Sequence, residues 1–352
     1  MKVHYSPEFP QLLDQLQCTL ALSTYQSGVV ILISSIKGVH LNQFAKKLRR
    51  PMGIALDSDG TLAVACKNTV EVFGQHRQLA LRYKKEPGKY DGMFFPRSTY
   101  FTGQIDLHDI EWTEEGLIGV NTAFSCVCAI SDRRSFTPLW RPSFVSELLP
   151  EDRCHLNGLA VSETGDYYVT LLARTDARQA WRETKLESGM LMVAATEEVL
   201  VDGLPMPHSP RLVGQRLYYL LAATGELHVY DLATGTHSRV GTVPGFARGM
   251  AIHDDYIFVG TSKIRKTSTS FGDLPIAGQD NRAGVMVFQM STGQCVAELY
   301  YEEKVEEIFD LKVIPNLRNG VILDREGKVT HRAIDVTEEL FFWQKEEVKA
   351  KS

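Results

Sequence analysis

PMGIAL (Pro51–Leu56), LHDIEW (Leu107–Trp112), LNGLAV (Leu156–Val161), HSPRLV (His208–Val213), ARGMAI (Ala247–Ile252) and IFDLKV (Ile308–Val313) are six variations on one line of sequence. Their third residues are Gly53, Asp109, Gly158, Pro210, Gly249 and Asp310, so the spacings are 56, 49, 52, 39 and 61 residues. A repeat of that length marks one supersecondary unit copied and packed against its neighbours, and propeller blades fall near it. Each segment is followed by short β-branched or aromatic runs broken by Gly, Asp, Asn and Ser. After PMGIAL come Asp57–Gly60, the strand-like Thr61–Cys66 and then Thr69–Phe73. This is hairpin grammar, and four such runs per repeat make a blade. The expected fold is all-β, a six-bladed β-propeller. A many-stranded β-sandwich is the alternative, but it does not call for a repeated first strand.

The chain ends carry a second sign. After Ile308–Val313 a Pro-Asn break follows, and little there resembles three further strands. The missing strands lie at the other end: Thr19–Tyr25, Val29–Ser34 and His40–Lys46 read as strands two to four of a blade that lacks its first. The last blade is thus expected to be closed by N-terminal strands plus one C-terminal strand, which removes the open edge of the ring. One propeller accounts for residues 1–352 as a single domain, with a short terminal helix over 336–349 packed on it.

Composition bounds the function class. The 352 residues are 44% hydrophobic with a net charge of −5, which speaks against nucleic acid as partner. No apolar run approaches the roughly 20 residues of a membrane helix, and Pro7, Glu8 and Pro10 interrupt the place where a signal peptide would become apolar. The six cysteines lack CxxC spacing and lie mostly in strand runs. Buried thiols in the cytoplasm are expected, with no cofactor and no tightly bound metal.

In a propeller the starts of the first strands and the loops between strands two and three open on the same face. Arg50, His108 with Asp109, His155 with Asn157, His208 with Ser209, Arg248, and Glu307 with Asp310 occupy the starts. Two long loops stand above them, Ala173–Ser188 with Trp181 and Arg182, and Ser262–Ala283 with Arg265 and Lys266. A third long connection, Lys85–Ile105, carries Phe94, Phe95 and Arg97. Convergent polar groups in an apolar fold mark a ligand site. His108, Asp109, His155 and His208 are the candidate catalytic groups, with His108–Asp109 as the acid–base pair; because adjacent strand residues point to opposite sides, the alternative is that Asp109 orients the strand and His108 acts through water. Arg50, Arg97, Asn157, Arg182, Arg248, Arg265, Lys266 and Glu307 are the candidate ligand-binding groups. Guanidinium forks suit carboxylate, phosphate or sulfate, and aromatic faces suit sugars or flat rings. A small anionic or sugar-like ligand is therefore expected; the alternative is a rigid platform for a protein or peptide.

Phe95–Trp112, Val120–Cys126, Trp181–Gly189, Gly203–Arg211 and Ser262–Ser270 resemble an uncharacterised bacterial family of conserved hypothetical β-propellers, a domain of unknown function. That resemblance covers nearly the whole chain and implies no activity. A weaker similarity, at the level of the fold, is to gluconolactonase-like six-bladed propellers, which hold a divalent metal with Glu, Asn and Asp. Asn157 in LNGLAV matches their Asn. Their Asp-Gly-Met strand corresponds to Arg248-Gly249-Met250, where a cation replaces the carboxylate, contrary to a metal-dependent lactonase.

Overall fold

A computed structural model of the chain describes residues 1–83, 86–264, 271–337 and 339–344. Six sheets of four or five strands, antiparallel but for one added edge strand, form a six-bladed β-propeller. The first strands are Ile54–Leu56, Leu107–Thr113, Leu156–Val161, Pro207–Val213, Phe246–His253 and Asp310–Ile314. Each of the six repeated segments thus supplies the innermost strand of one blade. In the sixth blade Asp310–Ile314 pairs with Thr19–Thr24, which is followed by Val29–Ile36 and His40–Lys47. The two ends of the ring are therefore joined by ladder hydrogen bonds, Thr19 opposite Ile314 and Ser23 opposite Asp310. Leu20, Leu22, Ile31, Ile33 and Leu311 of this blade are fully buried, and they pack with the helix Glu8–Gln15 in one apolar cluster.

Two blades gain a fifth strand. Val3–Tyr5 extends the fifth blade antiparallel to Cys295–Tyr301, and Gly320–Ile322 extends the first blade parallel to Gly92–Phe101. The edges nearest the closure are thereby covered. Among the described residues no helix is long and apolar enough to cross a membrane.

Two expectations are corrected. The stretch Gly92–Phe101 is not an open loop but the fourth strand of blade one, paired with Thr69–His76. Its alternation is obscured because the ladder slips between Val72 and Phe73, where Pro96 stands opposite Phe73. Such a slip is where a strand tolerates a residue without an N–H. Phe94 and Phe95 are consequently core residues rather than aromatic loop groups. Nor does the chain end begin a helix at 336: Ala333–Asp335 and Phe341–Trp343 form a two-stranded hairpin. Phe341 meets His76 and Trp343 meets Tyr83 and Phe95, so aromatic contacts with blade one fix an extended conformation there. Glu338 and residues 345–349 of that expected helix lie outside the described residues.

Candidate functional site

The two-residue hairpin loops fix the register of the blades. Thr113 pairs with Gly116, Val213 with Arg216 and His253 with Tyr256, each at the outer end of a first strand. Counting back, His208 is equivalent to His108 and Arg248, and Ser209 to Asp109 and Gly249. The sequence alignment of the fourth blade was therefore one residue out. In the corrected register the third residues around the ring alternate: Gly53, Asp109, Gly158, Ser209, Gly249, Asp310.

Packing explains the alternation. A Cβ on Gly53 would meet Asp109 Cα at 3.0 Å, one on Gly158 would meet Ser209 N at 3.0 Å, and one on Gly249 would meet Asp310 Cα at 2.7 Å. The polar residue that each glycine admits then binds the next blade. Asp109 Oδ2 accepts from Leu159 N (3.2 Å), Ser209 Oγ from Gly249 N (3.0 Å), and Asp310 Oδ2 from Ile54 N (2.9 Å). Arg211 crosses the channel between the two carboxylates, 2.8 Å from Asp109 Oδ2 and 3.4 Å from Asp310 Oδ1. Burial alone would lower the Arg211 pKa, but the two carboxylates raise it on balance. Burial pushes the Asp310 carboxyl up, with Asp109 adding and Arg211 opposing.

Asp109 is thus not the partner of His108, as the sequence suggested. Successive strand residues point to opposite sides, and Asp109 faces the channel plug while His108 faces the mouth. Asn157 also turns inward: its Oδ1 accepts from Thr170 Oγ1 at 2.7 Å, and among the described residues its buried Nδ2 has no hydrogen-bond partner.

The mouth is a cavity of about 570 Å³. Two tiers of the repeat build its floor. One holds the second residues of the inner strands, Met52, His108, His208, Arg248 and Phe309. The other holds the residues two positions earlier, Asp106, Met206, Phe246 and Glu307, together with His155. Tyr25 and Gln26, Trp181 and Arg182, and Ser262, Lys263, Ile264 and Phe271 close it from the loops between strands two and three. The loops of blades three, five and six therefore shape the site.

Two of the imidazoles are held by a recurrent backbone carbonyl and the third by a carboxylate. Asp106, Met206 and Asp152 have φ of +51°, +58° and +51°, left-handed values uncommon for residues other than glycine. His108 Nδ1 donates to Asp106 O and His208 Nδ1 to Met206 O, each at 3.0 Å. His155 Nδ1 donates to the Asp152 carboxylate at 2.9 Å. With Nδ1–H engaged, each ring leaves Nε2 as an acceptor. Burial pushes the His108 and His208 pKa values well below the usual histidine range, and Arg248 adds to the effect. Both rings are neutral at physiological pH.

Arg248 lies with Cζ 3.4 Å from the centroid of the Phe309 ring, and its Nη1 is 3.7 Å from Glu307 Oε1. Burial lowers its pKa to about 10 against the pull of Glu307 and Asp310, so it remains a cation near neutrality. Burial raises the Glu307 carboxyl, opposed by Arg248, and among the described residues the buried Glu307 Oε2 has no hydrogen-bond partner.

Of the expected site residues, His108, His155, His208, Arg182, Arg248 and Glu307 line this cavity. Arg50 is exposed beside it, donating to the Tyr25 hydroxyl at 3.2 Å. Arg97 does not reach it, because its strand is the fourth from the channel in blade one and its guanidinium pairs with Asp335 of the terminal hairpin. Arg265 and Lys266 lie outside the described residues. Asp152, Tyr25 and the apolar ring Met52, Met206, Phe246 and Phe309 escaped sequence reading. Met52 and Phe309 stand in the repeat itself, and the repeat read two residues further upstream would have shown Met206 and Phe246. Among the described residues no group of three or more His, Cys, Asp or Glu side chains is placed to hold a metal ion.

Comparison with known proteins agrees with the fold. A chain in a solved nidogen/laminin complex is similar over 85% of this chain and 99% of its own, with a TM-score of 0.57 and 9% identity. A protein of unknown function from Bacteroides caccae is similar over 84% of this chain and 98% of its own, with a TM-score of 0.53 and 10% identity. No curated protein matches the sequence. One family model does, a domain of unknown function (DUF4915), over residues 7–323. The chain therefore belongs to the DUF4915 family.

Proposed function

We propose that the cavity binds a small anionic ring compound carrying hydroxyl groups. The observation that carries this is the convergence of Arg248, held on the Phe309 face, with three imidazoles that each offer Nε2. Arg248 supplies a bidentate contact for a carboxylate or phosphate. The imidazole acceptors take hydroxyl donors, and Tyr25, Trp181 and Phe309 supply flat apolar walls. Arg182 and Lys263 add positive charge at the rim, against Asp106 and Glu307. Concavity favours a small molecule over a protein partner, because Met52, Met206, His208 and Phe309 are at most 4% exposed on the cavity floor. All six cysteines are unpaired, which suits the cytoplasm.

The test is a thermal-shift screen of sugar acids, sugar phosphates and their neutral counterparts. A ligand present at 100 times its Kd stabilises by about 2.7 kcal/mol, roughly 3–4 °C in Tm for a chain of this length. Arg248→Ala is expected to abolish the shift, and Arg248→Lys to restore part of it, since an ammonium lacks the fork. Stabilisation by neutral or cationic compounds alone refutes the proposal.

A further inference from the structure

One of the three cavity histidines differs from the other two in what holds it. His108 and His208 rest on neutral backbone carbonyls, whereas His155 Nδ1 rests on a carboxylate, 2.9 Å from Asp152 Oδ1 and 3.0 Å from Oδ2. Asp152 Oδ2 also accepts from Trp181 Nε1 at 2.9 Å, and the indole packs against the imidazole with ring centroids 4.2 Å apart. The carboxylate is therefore fixed from two sides.

The segment under this pair is clamped as well. Asp152 N donates to Ala123 O at 2.9 Å. Arg153 Nε donates to Glu151 Oε2 at 2.9 Å, and its Nη1 to Asp176 Oδ1 at 2.6 Å and Ser146 Oγ at 3.0 Å. Thr175 Oγ1 binds the Arg153 carbonyl at 2.5 Å. A side chain poised for chemistry needs such support behind it.

We propose that His155 is a general base acting on a hydroxyl of the bound ring compound, with Asp152 as its positioning residue. The ligand's O–H bond breaks, its electron pair stays on oxygen as an alkoxide, and the proton bonds to His155 Nε2. The imidazolium so formed faces the Asp152 carboxylate, while Arg248 is the cation that opposes the alkoxide. His108 and His208 are unsuited to this step, since a proton on either would face Arg248 with no carboxylate behind it. The hydroxyl ligand rests on the function proposed above; the seating of His155 on the Asp152 carboxylate does not.

Diethyl pyrocarbonate, which acylates unprotonated imidazole nitrogen, tests the dyad without a ligand. The full chain is treated at neutral pH, and modification at each histidine is followed by peptide mass spectrometry. His155 is expected to react at least about fivefold faster than His108 and His208, as a carboxylate-backed imidazole is the stronger nucleophile. Asp152→Asn is expected to remove that advantage while the other two rates stay unchanged, a selectivity that general loosening of the fold would not give. Equal rates at the three histidines of the unaltered chain overturn the proposal whether or not the variant folds. So does an unchanged His155 rate in Asp152→Asn. Failure of the thermal-shift screen would leave these rates untouched, so the two proposals fail separately.

Discussion

Replacing Arg211 with alanine should be among the most damaging single changes in this propeller, and the damage should depend on pH. The Arg211 side chain is 11% exposed, and the carboxylate side chains of Asp109 and Asp310 that it joins are 6% and 4% exposed. It also donates to the carbonyls of Pro210 at 2.8 Å, Met250 at 2.9 Å and Leu159 at 3.2 Å, so one guanidinium ties together the inner strands of several blades. Removing one member of a buried ionic group costs about 3–5 kcal/mol, because the remaining charge stays desolvated and unpaired. For a chain of this length that lowers Tm by about 4–7 °C. Asp310 sets the pH window. Its folded pKa is already raised to about 7 by burial, against an ordinary carboxylate value near 4. The folded state therefore binds more protons than the unfolded state between these values, and this group's contribution to stability falls as pH rises through them. Without Arg211 the Asp310 carboxyl rises further, so the variant should lose less at pH 5 than at pH 8. Combining Arg211→Met with Asp109→Asn and Asp310→Asn keeps acceptors for Leu159 N and Ile54 N, and should recover more than half of the loss. Calorimetry of the three proteins at both pH values is the assay. A loss below about 1 °C, or the same loss at pH 5 and pH 8, would refute a charge-based role for the plug.

Deleting residues 1–48 should abolish the cooperative melting transition, since it removes three of the four strands of blade six and leaves Asp310–Ile314 without its ladder partner; a truncated chain that melts like the intact one would show that the ring does not need this closure. Of the six thiols only Cys295 should react quickly with Ellman's reagent in the folded protein, because the other five are buried and burial pushes Cys18, Cys66 and Cys154 up to about 12. A titration showing two or more fast thiols would contradict that packing.

The six-blade architecture and its closure were legible because they depend on features that repeat: an apolar inner strand, a turn of Gly, Asp or Ser, and two chain ends that each lack what the other has. Phe94 and Phe95 were misplaced because a slipped ladder and Pro96 break the alternation by which a strand is recognised. The helix expected to begin at 336 was misjudged, over its described residues, for a different reason. Val336, Leu340 and Trp343 there satisfy a helical spacing, but the partners of Phe341 and Trp343, namely His76, Tyr83 and Phe95, lie in blade one, and no local pattern names them. Within the cavity, His108, His155, His208 and Arg248 could be found as polar residues at strand starts. Asp152 could not, because its role depends on a left-handed backbone three residues before His155 that turns the carboxylate under the ring.

The pairing of His108 with Asp109 failed for a reason that applies to every blade. In an inner strand, adjacent residues serve opposite ends of the channel. Except at Asn157, the second residue looks into the mouth, and the third looks toward the plug and the next blade. Asp109, Ser209 and Asp310 are consequently spent on hydrogen bonds to Leu159, Gly249 and Ile54, which hold the blades at the spacing that the intervening glycines permit. Their neighbours His108, His208 and Phe309 are released from structural duty by the same arrangement. Any carboxylate that serves the mouth must then come from outside the inner strands. Glu307 beside Arg248 and Asp152 beneath His155 do so, and both sit on the connection entering a blade. Variation in those entering connections can change the chemistry of the mouth while the alternating ring of glycines and polar staples keeps the propeller closed.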